Sequence, residues 1–156
     1  MTIKLGLDCD LYYQTTGTRE TWPATGAAPN LTEITNVKDV SIAVSKAEHD
    51  ATTRAANGWE VIKTGLKSGQ VEFQMLEDPD DAILTAIVTA FYANTTMAFA
   101  ILNGDSATAG TRGLWADFEI VKCDEGQPIG DLATYDIAIK PAHSSVAPER
   151  VLVAAA

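Results

Sequence analysis

Apolar and polar positions alternate over most of this chain, the period of a strand with one face covered. In residues 5–13, Leu5, Leu7, Cys9 and Leu11 alternate with polar or small residues before the pair Tyr12-Tyr13, which predicts a half-buried strand. In 36–45, Val40, Ile42 and Val44 take one face and Asp39, Ser41, Ala43 and Ser45 the other. After the turn dipeptide Asn57-Gly58, a strand resumes over 59–64 and 65–69 turn the chain. Residues 70–76 then set Val71, Phe73 and Met75 against Gln70, Glu72 and Gln74. Further strands are predicted at 96–102, at 114–122, where Phe118 and Ile120 oppose Asp117, Glu119 and Val121, and at 132–140, stopped by Pro141.

One segment changes period. Ile83, Ile87 and Phe91 recur at four-residue spacing, joined by Leu84, Val88 and Ala90, so a helix is predicted over about 79–93. Asp78 suits its N-cap, Pro79 its first position, and Asn94 its C-terminal stop.

The remaining stretches read as connections. Residues 14–30 carry Gly17, Pro23, Gly26 and Pro29 and form a long loop, from which Trp22 is expected to fold back onto the body. Residues 46–57 are polar and make a hairpin projecting between two strands. Residues 103–113 form a loop, 124–130 turn, and 142–156 extend as a C-terminal arm. About seven strands, interrupted by one helix, predict a mainly β fold: an antiparallel sandwich or barrel flanked by one α-helix, in a single domain over 1–156. The order lacks the repeated strand–helix alternation of a Rossmann-type sheet.

Composition narrows the function. Hydrophobic residues make up 46% of the 156 and charged ones 21%, too apolar for a disordered chain. No apolar run approaches the ~20 residues of a membrane helix, so no membrane insertion is expected. The charged start, with Lys4, Asp8 and Asp10, is not that of an export signal. A net charge of −10 argues against a surface built to grip phosphate. Cys9 and Cys123 make no disulfide framework, and each is expected as a small core residue.

The search for chemistry finds no centre. Neighbours in Glu48-His49-Asp50 point to opposite faces of a strand and do not converge on a metal. The acids from Asp78 to Asp81 lack the glycine and glutamate of a calcium loop, having Ile83 and Thr89 there. There is no phosphate-binding glycine loop and no nucleophile elbow. No catalytic, cofactor-binding or metal-ligating residue is assigned, no cofactor is expected, and the chain is read as a non-enzyme. What remains are the traits of a building block: sheet edges, a projecting hairpin, and long terminal segments. A monomeric or dimeric β-sandwich binding or adaptor module is the alternative from residues alone.

Three stretches carry a likeness. They are Lys46-Ala47-Glu48 with Thr52-Thr53-Arg54 and Gly58-Trp59, the acidic run Glu77-Asp78-Pro79-Asp80-Asp81 before an apolar helix, and Gly113-Leu114-Trp115-Ala116-Asp117-Phe118. Over about residues 36–141 the chain resembles the tail tube proteins of tailed bacteriophages, relatives of the tubes of contractile injection and type VI secretion. The resemblance implies a structural subunit of a virion, made in the host cytoplasm. Copies form hexameric rings that stack into a hollow tube, and double-stranded DNA passes through it into the host without specific binding. It implies tape measure and tail terminator proteins as partners, with a sheath if the tail is contractile.

The resemblance also implies a ring-stacking hairpin holding Lys46, Glu48, His49, Asp50, Thr52, Thr53, Arg54, Asn57 and Trp59, with 14–30 and 142–156 as arms. DNA slides past carboxylates that repel it, so Asp39, Glu72, Gln74, Asp117, Glu119 and Asp136 are the expected acidic lining of the lumen.

Overall fold

The computed structural model describes residues 3–14, 19–24 and 30–155. Eight strands and one α-helix follow in order: β1 (Asp10–Tyr13), β2 (Thr32–Glu33), β3 (Val37–Asp50), β4 (Ile62–Leu76), α1 (Ala82–Ala93), β5 (Thr96–Leu102), β6 (Arg112–Gly126), β7 (Thr134–Pro141) and β8 (Glu149–Leu152). They make one antiparallel sheet in the order β2-β1-β5-β6-β7-β4-β3, with β8 also paired to β6. The mainly β, antiparallel architecture with one helix is as the alternation predicts.

The sheet folds on itself. Phe73 of β4 and Phe99 of β5 have ring centroids 6.3 Å apart, although β6 and β7 lie between their strands. In a flat sheet three strand spacings of ~4.8 Å would hold them far apart. The curl brings Val71, Phe73 and Met75 against Phe99, Ile101, Phe118, Ile120, Ile137 and Ile139. Leu84, Ile87 and Ala90 of α1 pack into the same core.

β5 is apolar from Met97 to Leu102, where both its faces are covered. Phe99 and Ile101 enter the main core, while Ala98, Ala100 and Leu102 join Tyr12, Trp115 and Val151 in a second cluster on the other side. Trp22 folds back onto that second cluster, as expected, with its ring edge-on to Trp115 at 5.9 Å.

Several sequence boundaries move. The strand expected over 5–13 is confined to Asp10–Tyr13, because β5 ends at Leu102, opposite Asp10. Upstream, Gly6–Asp8 form a 3-10 turn, and Leu5, Leu7 and Cys9 are exposed, so Cys9 is not a core residue. The turn expected at 65–69 does not exist. Gly65 and Gly69 sit inside β4, held extended by pairing of Gly69 with Val44, and the separate strands 59–64 and 70–76 are one. The helix begins at Ala82, not 79, and its N-cap is Asp81, whose carboxylate accepts from the backbone N–H groups of Ile83 and Leu84. Asp78 instead closes the preceding turn by accepting from the Asp80 N–H. Asn94 ends the helix with a left-handed backbone, as expected. Residues 15–18 and 25–29 of the expected 14–30 arm lie outside the described residues. In the expected C-terminal arm, β8 pairs with β6, and Val151 and Val153 are buried.

Candidate assembly surfaces

The β3–β4 hairpin dominates the surface. Lys46 pairs with Lys67, and Asp50 with Ile62, so the polar stretch 46–50 is strand, and 51–61 cap it. From Gly69 outward to Ile62 no residue of β4 is buried, a ribbon of ~25 Å at ~3.3 Å per residue. Its tip is nevertheless ordered. The Thr52 hydroxyl accepts from the Val61 N–H at 2.9 Å, and the Thr52 N–H donates to Asp50 at 2.8 Å. Hydrogen bonding from Thr52, by its side chain and then by its N–H, holds the Asp50 carboxyl below its ordinary range. A short 3-10 turn, Arg54–Ala56, follows Thr53, whose carbonyl accepts from the Ala56 N–H at 3.0 Å, and Asn57 and Gly58 then reverse the chain with positive φ.

All nine hairpin residues named from sequence stand on this ribbon and its tip, and none is buried. Of its apolar members the sequence named Trp59, which is 77% exposed, and passed over Leu66, 87% exposed, and Val44, 62% exposed, with Val61 and Ile62 also open. Two-stranded ribbons are marginal in water on their own. Five exposed apolar side chains on one ribbon and its tip, with Val40 and Ile42 open at its base, are the kind of surface that proteins cover by association.

A second surface is the polar face of β3, β4 and β7. Asp39, Glu72, Gln74 and Asp136 line one shallow depression of about 280 Å³, so four of the six residues expected in the lumen do converge. The Gln74 amide donates to Asp136 at 2.9 Å. Asp39 reaches this site from a β-bulge, with φ of 33°, between the pairs Lys38–Gln74 and Ser41–Glu72. Glu119 pairs with Lys140 further along β6. Asp117 is turned to internal partners: it accepts from the Ser144 hydroxyl at 2.6 Å and lies 3.9 Å from Arg19. Sequence reading missed the cations here. A register shift after Ile120 brings Lys122, rather than Val121, opposite Ala138, so Lys122 lines the depression and pairs with Asp124 at 3.5 Å.

It also missed Arg19. This side chain is buried against β6 and the C-terminal segment, where it donates to the Trp115 carbonyl at 2.8 Å and the Ala147 carbonyl at 3.1 Å. No three His, Cys, Asp or Glu side chains gather as a metal-binding group among the described residues. Among the same residues, no helix is long and apolar enough to cross a membrane.

The fold has its structural neighbours among tail tubes. The chain superposes on one from the tail of an empty gene transfer agent particle refined with C6 symmetry, with a TM-score of 0.72 over 96% of this chain and 99% of that one, at 16% identity. The SPP1 tail tube gives 0.67 at 13% identity, over 97% of this chain and 81% of that one. A chain of the anti-feeding prophage baseplate gives 0.59 at 10% identity, with 98% of each covered. At these identities the likeness is one of fold. No family model matches the sequence, and no curated protein matches it significantly.

Proposed function

We propose that this chain is the structural subunit of a tail tube. Six copies close into a ring, rings stack, and the hollow tube conducts double-stranded DNA from a virion into its host. The observation that carries this reading is the β3–β4 hairpin: a long two-stranded ribbon with exposed apolar side chains among its charged ones, on a fold shared with tail tubes. Through Lys46, Glu48, His49, Asp50, Thr52, Thr53, Arg54, Asn57 and Trp59 it reaches the next ring.

The polar face with Asp39, Glu72, Gln74, Glu119 and Asp136 lines the bore, and Asp117 adds less because Arg19 offsets its charge. The whole chain acts as one domain without catalytic duty, and the terminal segments 14–30 and 142–156 join its contacts. Tape measure and terminator proteins meet the tube at its core and end, and a contractile tail adds a sheath outside. The subunit is made in the host cytoplasm and ends in the virion.

The test is electron microscopy of the purified full chain at rising concentration, beside a trimmed variant. Removing 46–57 alone would strand the partner residues 62–67, so the cut replaces 47–66 with Asn-Gly and closes the Lys46–Lys67 pair with a two-residue turn. The full chain should form six-fold rings and tubes, and the trimmed chain should fold but not stack. A full chain monomeric at every concentration, or a trimmed chain that builds long tubes, would overturn the proposal.

A further inference from the structure

β7 and β8 run in line along the same side of β6. β7 lies opposite residues 118–126 and β8 opposite 112–115; Ala142 still donates to the Asp117 carbonyl at 2.8 Å, and 143–148 connect the two strands outside the ladder. The Arg19 guanidinium fills that break. Nη1 donates to the Trp115 carbonyl of β6 at 2.8 Å. Nη2 donates to the Ala147 carbonyl at 3.1 Å and to Glu149, the first residue of β8, at 3.4 Å. Nε makes no hydrogen bond among the described residues and faces Asp117 at 3.9 Å, and the guanidinium carbon lies 5.6 Å from the Trp115 ring. The same segment continues across both strands: the Trp115 indole donates to the Glu20 carbonyl at 2.9 Å, and the Trp22 indole to the Leu152 carbonyl at 3.1 Å.

We propose that Arg19 is a latch that makes the seating of 19–24 and the seating of β8 on β6 a single event. Either segment alone leaves polar groups without these partners. When β8 and the residues leading into it leave, Arg19, only 7% exposed in the closed chain, loses both acceptors of Nη2. Without 19–24, the Trp115 carbonyl and indole lose their partners beside a strand gap. Half-seated states therefore forfeit the bonds that span both segments, including the charge-assisted ones of Arg19. While shut, the latch keeps β8 on the 112–115 edge of β6, and opening exposes that edge as a template for strand addition. The inference is independent of the tube reading.

Hydrogen exchange of the full chain under rising denaturant tests it. The amides of 19–24 and 149–153 should share one opening free energy, distinct from that of α1. Arg19→Gln should speed exchange of both segments together by about 10- to 100-fold and leave α1 unchanged. Val151→Ala alters β8 and should speed 19–24 as much as 149–153; in the Arg19→Gln background it should speed β8 alone. The proposal is overturned if either segment opens by itself in the unaltered chain, or if Val151→Ala leaves 19–24 untouched. Those two measurements decide it even where Arg19→Gln does not fold.

Discussion

Replacing Leu66 by Asp separates folding from assembly. Leu66 is 87% exposed and lies within the projecting part of β4, so in the single chain it has almost no packing to lose. Leu66→Asp should therefore change unfolding free energy by no more than about 0.5 kcal/mol, as exposed substitutions do. Assembly is a different matter. A Leu side chain covered on association contributes roughly 1.5–3 kcal/mol per contact. At 1.4 kcal/mol per decade, its loss raises the concentration needed for polymerisation by about 10- to 150-fold. A carboxylate left unpaired in the contact adds to that. The ribbon has two faces, and Val44 stands on β3 with 62% exposure, so Val44→Asp is the companion variant. The assays are thermal or urea unfolding for the subunit, and sedimentation with electron microscopy for the assembly. If both variants fold normally and polymerise at the concentration of the unaltered chain, the exposed apolar residues of the hairpin are not assembly contacts, and the reasoning fails.

Three further outcomes follow from the geometry. Asp81→Ala should cost about 0.5–2 kcal/mol in urea unfolding, because Asp81 caps α1 and also takes a bond from Asn36, whereas Asp78→Ala should cost clearly less. Gly113→Ala should cost at least ~2 kcal/mol and lower Tm by about 5 °C or more, since its Cβ would meet the Ile101 carbonyl and the backbone of Leu102 across the ladder. In contrast, Gly65→Ala should be mild, because its Cβ meets only the outer end of the His49 ring, which can rotate. The Tyr135 phenol is pushed up to about 12, chiefly by burial and then by the charges of Glu77 and Glu125. Its contribution to stability is complete below the ordinary phenol value and is lost as pH rises through the folded one. An ultraviolet phenolate titration should show a late-titrating tyrosine that disappears in Tyr135→Phe.

What sequence could and could not supply divides along physical lines. Local periodicity located α1, β5 and the alternating halves of β3, β4, β6 and β7, because those residues face the same way in any register. It failed where a partner strand decides. Gly65 and Gly69 read as a turn, yet β3 extends alongside and keeps them straight. Asp78, followed by Pro79, was the cap the sequence named. The chain selects Asp81, which Asn36 also contacts by donating to it at 3.2 Å. Val121 was assigned to the polar face by strict alternation, and the register shift after Ile120 gives that place to Lys122. Arg19 was invisible for a different reason. It sits in a loop rich in Gly, Thr and Pro, and its acceptors at Trp115 and Ala147 lie 96 and 128 residues away. A lone basic residue inside such a loop was the only signal.

Those hidden cations change what the acidic face can do. A net charge of −10 first reads as plain repulsion of phosphate. Yet Lys122 is ion-paired with Asp124, and Lys140 stands across the ladder from Glu119, so each lysine of the face has a carboxylate on it or one register position away. A free lysine holds DNA by releasing condensed counterions. A lysine matched to a neighbouring acid has less to offer, and a partner phosphate must compete with that acid. Such exposed pairs contribute little to stability, about 0–1 kcal/mol each. Their consequence on the tube reading is instead a bore that is hydrated, locally near-neutral at the pairs, and negative where Asp39, Glu72 and Asp136 meet. Charge reaches only ~8 Å at physiological salt, so this local arrangement, and not the total of −10, is what a passing strand would feel.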